Sequence, residues 1–125
     1  MAKIILDLGS GNTCHNDHGI IEEMIYAIKS IDTGKHEVIL KWQLFESAPP
    51  NIPLEHEAFE FAYRIGATLG YETTSSVFDK QSLAFLLKFK IPFVKIACRP
   101  ELYKLAPDCG VPVYGSYYDF EPGVY

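Results

Sequence analysis

The sequence predicts an α/β fold on a parallel sheet: a partial (β/α)8-type barrel, a half-barrel of about five strands with interleaved helices. Three observations carry this. Short, nearly unbroken apolar runs alternate with stretches of helical spacing. The runs begin near residues 4, 37, 71, 91 and 111, at intervals of 33, 34, 20 and 20, the rhythm of strands joined by helical crossovers. Apolar runs without polar alternation mark strands covered on both faces, as in parallel sheets. The 125 residues read as one domain, 1–125.

Lys3 to Leu8 reads as the first strand, stopped by the turn Gly9-Ser10-Gly11-Asn12. His18 to Ile31 places Ile20, Ile21, Met24, Ile25, Ala27, Ile28 and Ile31 at helical spacing, and Asp32-Thr33-Gly34-Lys35 ends it. Glu37 to Phe45 is the second strand, followed by the proline loop Ala48-Pro49-Pro50-Asn51-Ile52-Pro53. Leu54 to Leu69 carries Leu54, Ala58, Phe61, Ala62, Ile65 and Leu69 on one helical face, with Gly70 as the stop. Tyr71 to Val77 is the third strand, Asp79 the N-cap of a helix over Lys80 to Lys88, and Ile91 to Ala97 the fourth strand. Glu101 to Ala106 is one or two helical turns, and Val111 to Ser116 the fifth strand.

Composition limits the function classes. With 48% hydrophobic and 22% charged residues, disorder is excluded as the dominant state. Eleven basic against sixteen acidic residues give a net charge of −5, which offers no footprint for nucleic acid or an anionic membrane. Apolar stretches stop well short of the ~20 residues of a membrane span. Met1-Ala2-Lys3 leads straight into Ile4-Ile5-Leu6, a strand opening and not a cleavable leader. Three cysteines, Cys14, Cys98 and Cys109, are too few and odd in number for a disulfide framework, so a cytoplasmic location is expected. Aromatic residues make up 14%, which reads mainly as packing.

Periodicity alone leaves two architectures open: an open doubly wound sheet, and part of a (β/α)8 barrel. The Gly9-Ser10-Gly11 turn superficially favours the first, but Cys14 stands where a dinucleotide fingerprint has its third glycine. Five motifs in order decide for the second. Ile5-Leu6-Asp7-Leu8-Gly9-Ser10 runs into the loop Asn12-Thr13-Cys14-His15-Asn16-Asp17. Val38 to Phe45 reads Val-Ile-Leu-Lys-Trp-Gln-Leu-Phe, and Tyr71 to Asp79 ends Ser-Ser-Val-Phe-Asp. Ile91 to Cys98 reads Ile-Pro-Phe-Val-Lys-Ile-Ala-Cys, and Val111 to Ser116 reads Val-Pro-Val-Tyr-Gly-Ser. Together, over nearly the whole chain, these resemble the first half of the barrel of the sialic acid (N-acetylneuraminate) synthase family; the second-strand motif is the most specific match.

That family joins phosphoenolpyruvate to an N-acetylated amino sugar with a divalent metal. The resemblance implies a small acidic or phosphorylated ligand, bound by Lys41, Ser75, Ser76, Lys95 and Ser116 near the strand C-termini, with Gln43 facing the sugar. Independently, Lys41 and Lys95 lie in apolar strands, and a buried ammonium requires an anion. The structural alternatives are pairing with Asp7 or Glu72, outward snorkelling, a Gln43 bonded to neighbouring backbone, and serines that merely cap helices. Asp7 stands where the family carries a catalytic Glu and is one methylene shorter; Glu101 is its displaced second acid. Cys98 replaces a donor serine, Arg99 offers a replacement phosphate contact, and Tyr117-Tyr118-Asp119 replaces a small Thr-Gly.

The family's paired metal histidines lie on later strands, beyond this sequence. A Mn or Mg ion is therefore expected only where further sequence completes the site; no cofactor follows from these residues alone. Cys14, His15, Asp17 and His18 have ligand chemistry but no recognised metal spacing; the plainer reading is a solvated loop with Asp17 as N-cap. His36 and His56 read as surface residues. The expectation is an enzyme-like anion site with incomplete catalysis; the alternatives are a non-catalytic ligand-binding protein, in a viral or accessory setting, and a scaffold. Open strand edges and an apolar inner face suggest a homo-oligomer.

Overall fold

The computed structural model describes residues 2–97 and 99–115. Five strands form one open, all-parallel sheet in the order β1-β2-β3-β4-β5, with helices between successive strands. The strands are β1 (Lys3–Gly9), β2 (Glu37–Leu44), β3 (Glu72–Val77), β4 (Val94–Ile96) and β5 (Val113–Gly115). The helices are α1 (Gly11–Cys14), α2 (His18–Ile31), α3 (His56–Thr68), α4 (Lys80–Leu86) and α5 (Pro100–Tyr103), with a 3-10 turn at Ala106–Asp108. A doubly wound sheet reverses its strand order at a switch point. This one does not, so the fold is a partial barrel.

Local chemistry explains most boundaries. Asp17 caps α2 by accepting the Ile20 amide at 3.1 Å, and Asp79 caps α4 by accepting the Ser82 amide at 2.8 Å. Strand β4 is shorter than the expected run from Ile91 because Pro92 lacks an amide hydrogen and pairing begins only at Val94. The one or two helical turns expected over Glu101–Ala106 are a single turn starting one residue earlier, at Pro100, followed by the 3-10 turn. Gly66 lets α3 press onto β3, since a Cβ there would stand 2.8 Å from the Thr73 hydroxyl.

Parallel register sorts the side chains onto two faces. Leu40, Trp42, Leu44, Val77, Val94 and Ile96 pack with Ile21 and Ile25 of α2, Ala58, Phe59 and Ala62 of α3, and Leu83 and Leu86 of α4. The rows Asp7–Lys41–Thr74 and Gln43–Ser76–Lys95–Tyr114 lie on the opposite face. The expectation of an apolar inner face is therefore corrected: near the strand C-termini it is polar. Exposed apolar residues include Ile5 and Tyr114 on that face and, along the β1 edge, Ile4 and Ile31, where Ile4, Leu6, Ile28, Ile31 and Val38 line a groove of about 210 Å³. Among the described residues, no helix is long and apolar enough to cross a membrane.

At the N-terminal pole of the sheet, the Tyr71 hydroxyl donates to Asp32 Oδ2 at 2.6 Å. Burial, with the Asp32 carboxylate beside it, pushes the Tyr71 phenol up to about 12. A folded-state value above the ordinary 10 means a contribution that is complete below pH 10 and lost as pH climbs towards 12. The urea midpoint of the protein should fall across that window, and the Tyr71→Phe variant should show a visibly shallower fall. Equal slopes would remove the pair from the account of alkaline stability.

Candidate functional site

The polar face is organised by Asp7. Strand β1 carries an irregularity between Asp7 and Gly9, where Gly9 takes φ +87° and its amide turns back onto Asp7 Oδ1 at 2.9 Å. The same carboxylate receives Lys41 Nζ at 2.9 Å and Gln43 Nε2 at 3.1 Å, both on Oδ2. Lys41 is only 8% exposed, so the pair meets the demand that a buried ammonium be neutralised. Burial pushes the Asp7 carboxyl up, but the hydrogen bonds from Lys41, Gln43 and the Gly9 amide and the Lys41 charge outweigh it, holding it below the usual carboxylate range. Asp7 is thus a fixed anion, bonded at both oxygens, and not a group ready to exchange a proton near neutral pH.

Lys41 Nζ also donates to Ser76 Oγ at 2.8 Å. Ser76 is the register partner of Gln43 on one side and of Lys95 on the other. Lys95 is half-buried and makes no hydrogen bond or ion pair with any described residue. The structure therefore brings Lys41, Gln43, Ser76 and Lys95 onto one face beside Asp7, and of the alternatives weighed for Lys41, pairing with Asp7 is the one found.

Ser75 is corrected. Strand alternation turns it to the helix-covered face, where it is fully buried and donates to the Ser76 carbonyl at 2.7 Å. Glu101 is exposed on α5 and lines a cavity of about 450 Å³ with Lys80, Lys104 and Leu105; no hydrogen bond or ion pair joins it to Asp7. Cys98, Ser116 and the aromatic stretch from Tyr117 to Phe120 lie outside the described residues.

A cavity of about 380 Å³ opens at the C-terminal ends of the strands. Ser10 follows β1, Gln43 lies at the end of β2 and Phe45 just beyond it, Phe78 and Asp79 follow β3, and Arg99 follows β4; Ser47 with Ala48 and Asn51 of the proline loop closes it. Gln43 is the residue common to this cavity and the Asp7–Lys41 cluster. Phe45 and Phe78 meet edge to face with centroids 5.8 Å apart. Sequence reasoning passed over both as site residues, although each is the first residue beyond the end of its strand, at the matching place in two successive units. Arg99 lies on the cavity wall.

Among the described residues, no group of three His, Cys, Asp or Glu side chains converges to hold a metal ion. In the loop weighed as a metal candidate, Cys14 is buried with its thiol on the Ser10 carbonyl, Asp17 caps α2, and the His18 ring stacks on Phe61 at 4.3 Å. His56 is a surface residue with a role in packing: its ring stacks on Phe85 at 3.8 Å. No protein-family model matches the chain, and no curated protein matches it.

Proposed function

We propose that the chain is a synthase-like domain whose polar strand face binds a small phosphorylated or acidic ligand of the phosphoenolpyruvate class, without completing the condensation by itself. One observation carries the reading: the balance of donors and acceptors. An ammonium has three N–H donors, and Lys41 uses two, on Asp7 and on Ser76. Ser76 Oγ accepts from Lys41, so its own hydrogen is left for a further acceptor. Lys95 adds three donors with no described partner. Donors from three successive strands thus outnumber the acceptors offered them, and an anion with several oxygens supplies what is lacking. The carbon part of such a ligand extends past Gln43 towards the cavity.

Support also comes from the resemblance to sialic acid synthases, whose strand motifs coincide with Lys41, Gln43, Ser76 and Lys95. Asp7 does not add an acid–base group, because it is committed to Lys41. Among the described residues, no group of His, Cys, Asp or Glu side chains converges to hold the family's metal. Isothermal calorimetry with inorganic phosphate and with phosphoenolpyruvate is the test. Binding is expected for both, with phosphoenolpyruvate the tighter; no heat from either up to about 10 mM, a free energy of under 3 kcal/mol, would leave the scaffold alternative standing. Phosphoenolpyruvate, N-acetylmannosamine and Mn²⁺ together with the pure protein should give no sialic acid, and product formation would show that catalysis is complete.

A further inference from the structure

The loop between β2 and α3 supplies four of the nine residues lining the 380 Å³ cavity, namely Phe45, Ser47, Ala48 and Asn51. Its position is not set by its own sequence alone. At its start, the Glu46 amide donates to Asp79 Oδ2 at 2.7 Å. At its end, Asn16 grips it twice, donating to the Pro53 carbonyl at 3.0 Å and accepting the Glu55 amide at 2.8 Å. Between these points stands Asn12. Its Oδ1 accepts the Ile52 amide at 2.8 Å and the Ser10 hydroxyl at 3.0 Å.

Asn12 itself is exposed and does not line the cavity, but Ser10 does, and Asn51 directly precedes Ile52. One amide oxygen therefore fixes two walls that come from different loops, 40 residues apart at the Ile52 bond. Gly11 lets the loops approach this closely, since a Cβ there would stand 2.5 Å from the Pro53 carbonyl oxygen.

We infer that Asn12 is a positioning residue for ligand selectivity: by holding Ser10 and the Asn51 segment in place, it decides how well the site distinguishes an organic anion from a bare one. The inference rests on the anion reading above. Lys41, Ser76 and Lys95 hold the charged group and share no hydrogen bond with Asn12, whereas the carbon part meets walls that Asn12 sets.

The test compares phosphoenolpyruvate with inorganic phosphate by calorimetry on the wild-type chain, Asn12→Ala and Asn12→Asp. Asn12→Ala should reduce the ratio of the two affinities about tenfold, through phosphoenolpyruvate alone, with phosphate affinity unchanged. Asn12→Asp keeps the accepting oxygen and should recover part of the lost ratio; its charge, which weighs more on the carboxylate-bearing phosphoenolpyruvate than on phosphate, keeps the ratio below wild type, more so at low salt than at high. An unchanged ratio in Asn12→Ala, or an equal loss for both probes, overturns the inference while leaving the anion site intact. A wild-type chain that binds neither probe overturns the anion reading, and the inference with it.

Discussion

Lys41→Met is expected to lower phosphate affinity by one to two orders of magnitude while leaving the fold in place. The side chain is nearly the same length, so the stem still fills its buried path beside Ser76, and only the ammonium is lost. Hydrogen bonds to charged groups contribute about 1.5–3 kcal/mol each, which is the origin of the expected factor. Folding tolerates the change because the Asp7 side chain is 44% exposed and water can take the place of Lys41. Asp7→Asn should act in the opposite direction. It removes the anion that Lys41 now faces, makes the cluster more positive by one charge, and tightens phosphate binding several-fold.

The pH dependence follows from the sign of the Asp7 shift. A carboxyl held below its ordinary 3.8 stays charged in the folded protein at every pH above that value, and its stabilising contribution is lost only as pH falls through the lowered value. Between pH 5 and 8 the phosphate affinity therefore follows the ionisation of the ligand and not of Asp7. Calorimetry on the three proteins at pH 5, 6.5 and 8 checks both statements. If Lys41→Met binds phosphate like wild type, the polar face is a structural ion-pair cluster and the ligand lies elsewhere.

The sequence made the fold legible where local chemistry is strong. The helix at His18–Ile31 starts from the N-cap Asp17 and stops at the turn in which Asp32 accepts the Gly34 amide, and its bounds are those expected. Four of the five strands are largely apolar and β3, Glu72–Val77, is mostly polar; all five are followed closely by glycine, proline or aspartate, so their number and order follow from periodicity together with the motif resemblance. The facing of side chains was legible in principle but misread as apolar. Asp7, Lys41, Gln43, Ser76 and Lys95 occupy alternate or register-matched positions, and this parity turns all of them to one face while sending Ser75 to the other. What no local pattern reveals is the joining of the loops. Asn12 meets Ile52 and Asn16 meets Glu55 across about 40 residues, and an asparagine ahead of a helix is, from sequence, indistinguishable from an ordinary turn residue.

Trp42→Ala is the substitution with the largest expected effect on stability. The indole is fully buried on the helix-covered face, among the largest enclosed side chains of the protein. Aromatic-to-alanine changes in a core cost about 3–5 kcal/mol, through lost burial and the cavity left behind, against a total of about 5–15 kcal/mol for a domain. Trp42→Phe separates packing from polarity. Among the described residues the indole Nε1 has no hydrogen-bond partner, so phenylalanine removes a buried donor without breaking a bond to any of them and forfeits the volume of the larger ring. Its cost should be at most half that of alanine. Because Trp42 is the sole tryptophan, urea unfolding has to be followed by far-ultraviolet circular dichroism and not by fluorescence. The expected result is two lowered midpoints with unchanged slopes, alanine far below phenylalanine. The comparison also bears on function, since Trp42 lies between Lys41 and Gln43 on the same strand and anchors it from behind. Trp42→Phe should therefore retain phosphate binding. If it loses binding while remaining folded, the position of β2 is set by the full indole, and the polar face depends on the core beneath it more closely than its own hydrogen bonds indicate.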